Sequence, residues 1–179
     1  MNDFYIVLSR SNTTVALLVR MFTHKYYNHT SIAFSKELDR FHSFGRKNPK
    51  MLLPAGYIEE GVDTGYFGLW PKTKIAVLQG YLDDEQYRQL QERLAEFEQK
   101  SDSFRYSIRG LVSAFLGIPW HRTKHYTCSG FVAYLFRDIL HFDKDYSLVE
   151  PEDFYKFGFK TIYEGTAGEY NHEKLSVRS

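Results

Sequence analysis

Apolar positions in this chain fall into short runs whose period changes along its length. Residues 4–9 form a compact apolar run with β-branched and aromatic members, which predicts a strand. Residues 11–14 then place cap-type side chains ahead of Val15, Leu18, Val19 and Phe22 at helical spacing, so a helix is expected next. Residues 29–35 alternate, residues 36–39 make a polar break, and residues 40–44 run on to Gly45; together they predict a hairpin with His29 at the start of its first strand. Between 46 and 64, Asn48-Pro49, Pro54, Gly56 and Gly61 stand among scattered apolar residues, the pattern of a long ordered loop or short irregular elements. Residues 66–70 and 74–79, separated by Pro71 and Thr73, read as two more strands of one antiparallel sheet.

The period then becomes helical. Asp83 or Asp84 caps a segment in which Tyr87, Leu90, Leu94 and Phe97 share one face and Arg88, Glu92, Arg93 and Glu96 the other. A second helix is expected within residues 104–120 around Leu111, Val112, Phe115 and Leu116, stopped near Gly117 and Pro119. A third starts at Cys128 and carries Phe131, Val132, Leu135 and Ile139. Residues 171–179 are polar and read as a frayed tail, and no internal repeat is present.

Composition narrows the class. With 43% hydrophobic and 17% aromatic residues among 179, the chain has the make-up of one globular domain with a packed core. Its 23 basic and 22 acidic side chains leave a formal charge of +1, which argues against a nucleic acid, an anionic membrane or a polyanionic substrate as partner. No basic segment precedes an apolar run at the start, and no run approaches the length of a membrane span, so neither a signal peptide nor an integral membrane segment is expected. A single cysteine excludes an intrachain disulfide and fits a reducing, cytoplasmic address.

That cysteine carries the sharpest local signal. In Tyr126-Thr127-Cys128-Ser129-Gly130-Phe131-Val132 the only thiol sits at the first turn of an amphipathic helix, where unpaired N–H groups and the helix dipole favour a thiolate, and small neighbours leave room for a substrate. A nucleophile needs that activation and access, although a small buried residue opening a core helix has the same pattern.

The same segment resembles the nucleophile motif of the NlpC-type papain-like cysteine peptidases. In ordinary members the histidine follows the cysteine, whereas here His141 ends the nucleophile's own helix and His172 lies in the polar tail. The chain instead is similar to the circularly permuted, YiiX-like branch, in which a histidine-bearing strand comes first. Tyr27-Asn28-His29-Thr30-Ser31-Ile32-Ala33-Phe34 resembles that strand and Phe41-His42-Ser43-Phe44-Gly45-Arg46 the one after it. The acidic-capped helix from 83, residues 106–111, Pro151-Glu152-Asp153-Phe154 and Tyr163-Glu164-Gly165 agree in order.

The resemblance implies an α+β fold: one permuted papain-like domain over residues 1–170, an antiparallel sheet packed against helices. It also implies a Cys128–His29 pair in which His29 manages the thiol proton. A third polar residue would orient His29. His42 and Ser43 are adjacent and strand alternation turns them to opposite faces; His42 is the choice by chemistry, with Ser43 the alternative. Tyr126 and Ser129 are candidates for the oxyanion and substrate-binding positions, Tyr126 being also a plausible aromatic core residue, and the Cys128 N–H lies at the unpaired helix start.

The expected activity is a cofactor-free hydrolysis of an amide bond through a thioester acyl-enzyme, on a small peptide or a cell-wall-derived fragment. Transfer or hydrolysis of acyl groups on lipids or small molecules, as in the similar lecithin retinol acyltransferase family, and a catalytically silent binding module are the alternatives. His121, His125 and Cys128 form H-x3-H-x2-C, but with no second cysteine the site is expected to be metal-free. Gly56 to Gly61 mimics half a phosphate loop, yet Val62 and Asp63 stand where Lys and Ser/Thr are required.

Overall fold

The computed structural model describes residues 1–11, 26–48, 51 and 54–170; the helix expected around Val15–Phe22 and the tail 171–179 lie outside the described residues. Six strands form one sheet: β1 (Asn2–Arg10), β2 (His29–Ala33), β3 (Phe41–Arg46), β4 (Ala55–Glu60), β5 (Lys74–Leu82) and β8 (Lys160–Thr166), in the order β4-β3-β2-β1-β5-β8. Every neighbouring pair is antiparallel. The run at residues 4–8 is uninterrupted by polar residues because β1 is central and buried on both faces.

Alternation along the strands separates two cores. One face presents Phe4, Ile6, Leu8, Ile32, Phe44, Ala76 and Leu78 to the helices α2 (Asp84–Gln99) and α4 (Cys128–Leu135). The opposite face packs Tyr5, Val7, Ala33, Phe41, Ile75 and Val77 against Val62, Ala167, Tyr170 and Phe67 of α1 (Gly65–Leu69). The chain is thus an α+β protein with an antiparallel sheet packed against helices.

Local chemistry explains each helix start. Asp83 caps α2 in a reciprocal capping box: its carboxylate accepts the Gln86 N–H and the Gln86 side chain accepts the Asp83 N–H. Ser107 caps α3 (Ile108–Phe115), which is shorter than the 104–120 span expected because Gly117 turns left-handed at φ +68. Thr127 caps α4, which ends before Ile139; the chain continues in turns that still deliver Ile139 to the core.

Two expectations are corrected. Residues 66–69 belong to a helix rather than a strand, with Trp70 as its C-cap: Glu60 accepts the Tyr66 N–H at its start, and Tyr66 and Trp70, four apart, bring their ring centroids to 4.7 Å. Their aromatic richness mimics strand propensity. Residues 46–64 contain a true strand, β4, paired with β3 from Arg46↔Ala55 to Phe41↔Glu60; its glycine and two glutamates suit a sheet edge and hide the alternation. A parallel two-residue ladder joins β6 (Arg105–Tyr106) to β7 (His125–Tyr126), ahead of α4. Among the described residues no helix is long and apolar enough to cross a membrane.

Candidate functional site

Cys128 is the first residue of α4, where no preceding turn can use its N–H. Gly130 allows the chain to close there, since a Cβ would stand 2.7 Å from the Thr127 hydroxyl and 3.2 Å from the Tyr146 carbonyl. The thiol is buried, 5% exposed, and burial pushes its pKa above the ordinary thiol value. Four donors work in the other direction: the N–H groups of Thr30, Ser129 and Cys128 itself, and the Tyr106 hydroxyl. Each favours the thiolate, but burial outweighs them and the thiol's pKa stays raised.

Tyr106 reaches the thiol because the β6–β7 ladder sets it opposite Tyr126, two residues before Cys128. Its hydroxyl is buried against Sγ, and burial followed by the thiol's own charge raises its pKa well above that of an ordinary tyrosine. It therefore stays a hydroxyl, able to donate.

His29 opens β2, half-buried, with Nε2 3.1 Å from the Ser43 hydroxyl. The proton positions follow from what Ser43 does next: its hydroxyl donates to the Thr30 carbonyl at 2.7 Å, so toward His29 it accepts. The His29 proton is thus on Nε2 and Nδ1 is a bare acceptor. Burial, then the Arg46 charge, lowers the pKa of His29 to about 4, which leaves a neutral imidazole at pH 7. Gly45 on β3 lies beside the ring; a Cβ there would stand 3.6 Å from His29 Cε1 and 2.8 Å from Ile58 Cδ1.

His42 and Ser43 do face opposite ways, and it is Ser43 that meets His29. His42 stands on the helix-bearing face with Nδ1 2.7 Å from the Tyr57 hydroxyl and 3.7 Å from Glu98, and burial followed by the Arg40 charge lowers its pKa to about 4. His42, Glu59 and Glu98 form a grouping with metal-ligand spacing, but Arg40 bridges both carboxylates at 2.7 and 2.8 Å and Tyr57 occupies the imidazole nitrogen. Arg40 offsets one of the two carboxylate charges.

Two other candidates are turned away from the thiol. The Tyr126 ring packs among Phe44, Phe97 and Tyr134, with centroids 5.4, 5.3 and 5.2 Å away. Ser129 donates to the Val149 carbonyl and fastens α4 to the segment beyond it. His121 sits between Asp145 and Tyr146, and His125 donates Nδ1–H to the Thr123 carbonyl, so neither accompanies Cys128 as a ligand set.

The site thus has two halves that share one residue. The Thr30 backbone favours an anion at Sγ and its carbonyl accepts from Ser43, so Thr30 lies between the thiol and the His29–Ser43 pair. Among the described residues no hydrogen bond joins Cys128 to His29 directly, and burial and Arg46 alone account for the lowered pKa of His29. Tyr106 and Thr30 are the participants that spacing along the chain could not single out, because only strand pairing brings them to the thiol. Compared with protein-family models, curated proteins and solved structures, the chain matches none.

Proposed function

We propose that this protein is a cysteine-dependent hydrolase of the permuted papain-like type, in which Cys128 is the nucleophile, His29 the proton carrier and Ser43 the group that holds the imidazole tautomer. The observation that carries this reading is the set of groups that favour an anion at Sγ, one of which is Thr30, the residue next to a neutral His29 held by Ser43. In this reading the thiol proton passes to Nδ1 of His29. Sγ then bonds to the carbonyl carbon, and the oxyanion takes hydrogen bonds from the Cys128 N–H and Tyr106. The C–N bond breaks as His29 returns the proton to the departing amine, and water, deprotonated by His29, hydrolyses the thioester. No cofactor enters these steps. An amide in a small peptide or cell-wall-derived fragment is the proposed substrate, in the cytoplasm, with an ester or acyl-transfer reaction as the neighbouring possibility on the same residues.

A second reading is favoured by the burial of the thiol and its raised pKa: a silent binding module that keeps the arrangement without turnover. An activated ester separates the two. With p-nitrophenyl acetate, a hydrolase gives a burst of p-nitrophenol and an acetyl adduct on Cys128 by mass spectrometry. The burst is lost in Cys128→Ser and slowed in His29→Ala. No adduct, together with an alkylation rate of Cys128 that is indifferent to His29 at every pH, would leave the binding module.

A further inference from the structure

Strand β4 is an edge of the sheet, and beside it lies a cleft of about 370 Å³ that nothing in the hydrolase reading uses. Four charged side chains line it: Arg46, Lys47, Glu59 and Glu60. Two of them are already answered by the protein, Lys47 by Asp102 at 2.9 Å and Glu59 by Arg40 at 2.7 Å. Arg46 is not. It is half-buried at the end of β3 and carries five N–H donors, yet among the described residues no hydrogen bond or ion pair uses any of them, and its guanidinium carbon lies 5.6 Å from the centre of the Tyr66 ring. Such a fork is open to a planar acceptor, above all a carboxylate.

Glu60 is held in place by the turn into α1. Gly65, at φ +56, has no Cβ where one would stand 2.7 Å from Glu60 Oε1, and that oxygen accepts the Tyr66 N–H at 2.9 Å. Among the described residues no other hydrogen bond reaches the carboxylate, so its second oxygen has no protein donor. Arg46 is near enough for its charge to act on Glu60, but no ion pair within 4.0 Å closes the gap between the two. A cation and an acid therefore face one cleft without satisfying each other. An anionic ligand would be opposed by Glu60 and a cationic one by Arg46, whereas a ligand carrying both charges complements both. The volume lies at the low end of the range for small-molecule pockets, which suits two residues of peptide rather than a long chain. We infer that this cleft binds an unblocked dipeptide, its carboxylate on Arg46 and its ammonium group on Glu60. The inference rests on the cleft and not on the chemistry at Cys128. It does reach His29: after burial, the Arg46 charge is the second cause that holds that imidazole's pKa low, so a carboxylate that offsets the guanidinium raises it.

Calorimetric titration of alanylalanine into the full chain carrying Cys128→Ala, where turnover cannot consume the ligand, tests it alongside N-acetyl-alanylalanine, alanylalanine amide and acetate. The unblocked dipeptide should bind about tenfold or more tightly than either blocked form, because each of those has lost one charge-assisted contact. Arg46→Gln should remove the advantage of the free carboxylate and Glu60→Gln that of the free amine, each leaving the other preference in place. An NMR titration of the His29 ring should show its pKa rise when alanylalanine is added, and no further rise in Arg46→Gln. Equal affinity for blocked and unblocked forms, acetate binding as tightly as the dipeptide, or no binding of alanylalanine overturns the proposal. The blocked ligands decide it even where a variant fails to fold.

Discussion

Replacing Tyr106 by phenylalanine tests the donor cluster at its one side-chain member. The ring and its packing are retained, and only the hydroxyl aimed at Sγ is lost. A hydrogen bond to a charged group is worth about 1.5–3 kcal/mol, so the thiolate population below its pKa should fall ~10- to 100-fold. The three N–H donors remain, which keeps the effect at this scale rather than abolishing the anion. The assay is the rate of alkylation of Cys128 against pH, unambiguous because the chain has one cysteine. The variant should label more slowly throughout the rising limb and converge on the native rate at high pH. The hydroxyl of Tyr106 stays protonated across that range, so its own titration adds no inflection. Superimposable profiles, or faster labelling in the variant, would refute the idea that Tyr106 supports an anion at Sγ and would make it only a lid on a buried thiol.

Two further outcomes follow from the fold. His42 has a pKa of about 4 in the native state, while an unfolded histidine titrates near ~6.5, so the unfolded chain binds more protons between these values. Stability should therefore fall as pH drops through this window, by about 3 kcal/mol from His42 alone, with His29 acting in the same direction; urea midpoints from pH 7 to 4 measure it, and His42→Gln should flatten the curve if the assignment is sound. Phe44 is fully buried with the rings of Phe131, Tyr126 and Phe97 at 4.9, 5.4 and 6.0 Å. Phe44→Ala should cost ~3–5 kcal/mol in chemical denaturation, and a loss below ~1 kcal/mol would mean that this aromatic cluster does not hold α2 and α4 to the sheet.

Where a physical signal is local, the residues alone announced the element. The unbroken apolar run of β1, the alternation of β2, the reciprocal Asp83–Gln86 cap and the small residues at the head of α4 each act within a few positions, and each element appears where its signal lies. The signal misled where two chemistries share a composition. Tyr66, Phe67 and Trp70 suit a strand by propensity, but the turn before them and the ring contact between Tyr66 and Trp70 make a helix. Strand β4 was hidden because a sheet edge tolerates the glycine and acids that break a hydrophobic alternation.

The candidate site divides in the same way. Its cysteine at a helix start, its histidine at a strand start and the opposite facing of His42 and Ser43 were determined by the sequence alone, because cap chemistry and the period of two are properties of adjacent residues. Which of that pair meets His29 was decided by the tertiary structure, since it depends on how β2 and β3 dock side by side. The same holds for Tyr106, carried to the thiol by a two-residue ladder, and for the burial that raises the thiol's pKa against its donors. Hydrogen-bond partners and desolvation are properties of assembled surfaces, and these form only when segments distant in the chain are packed together.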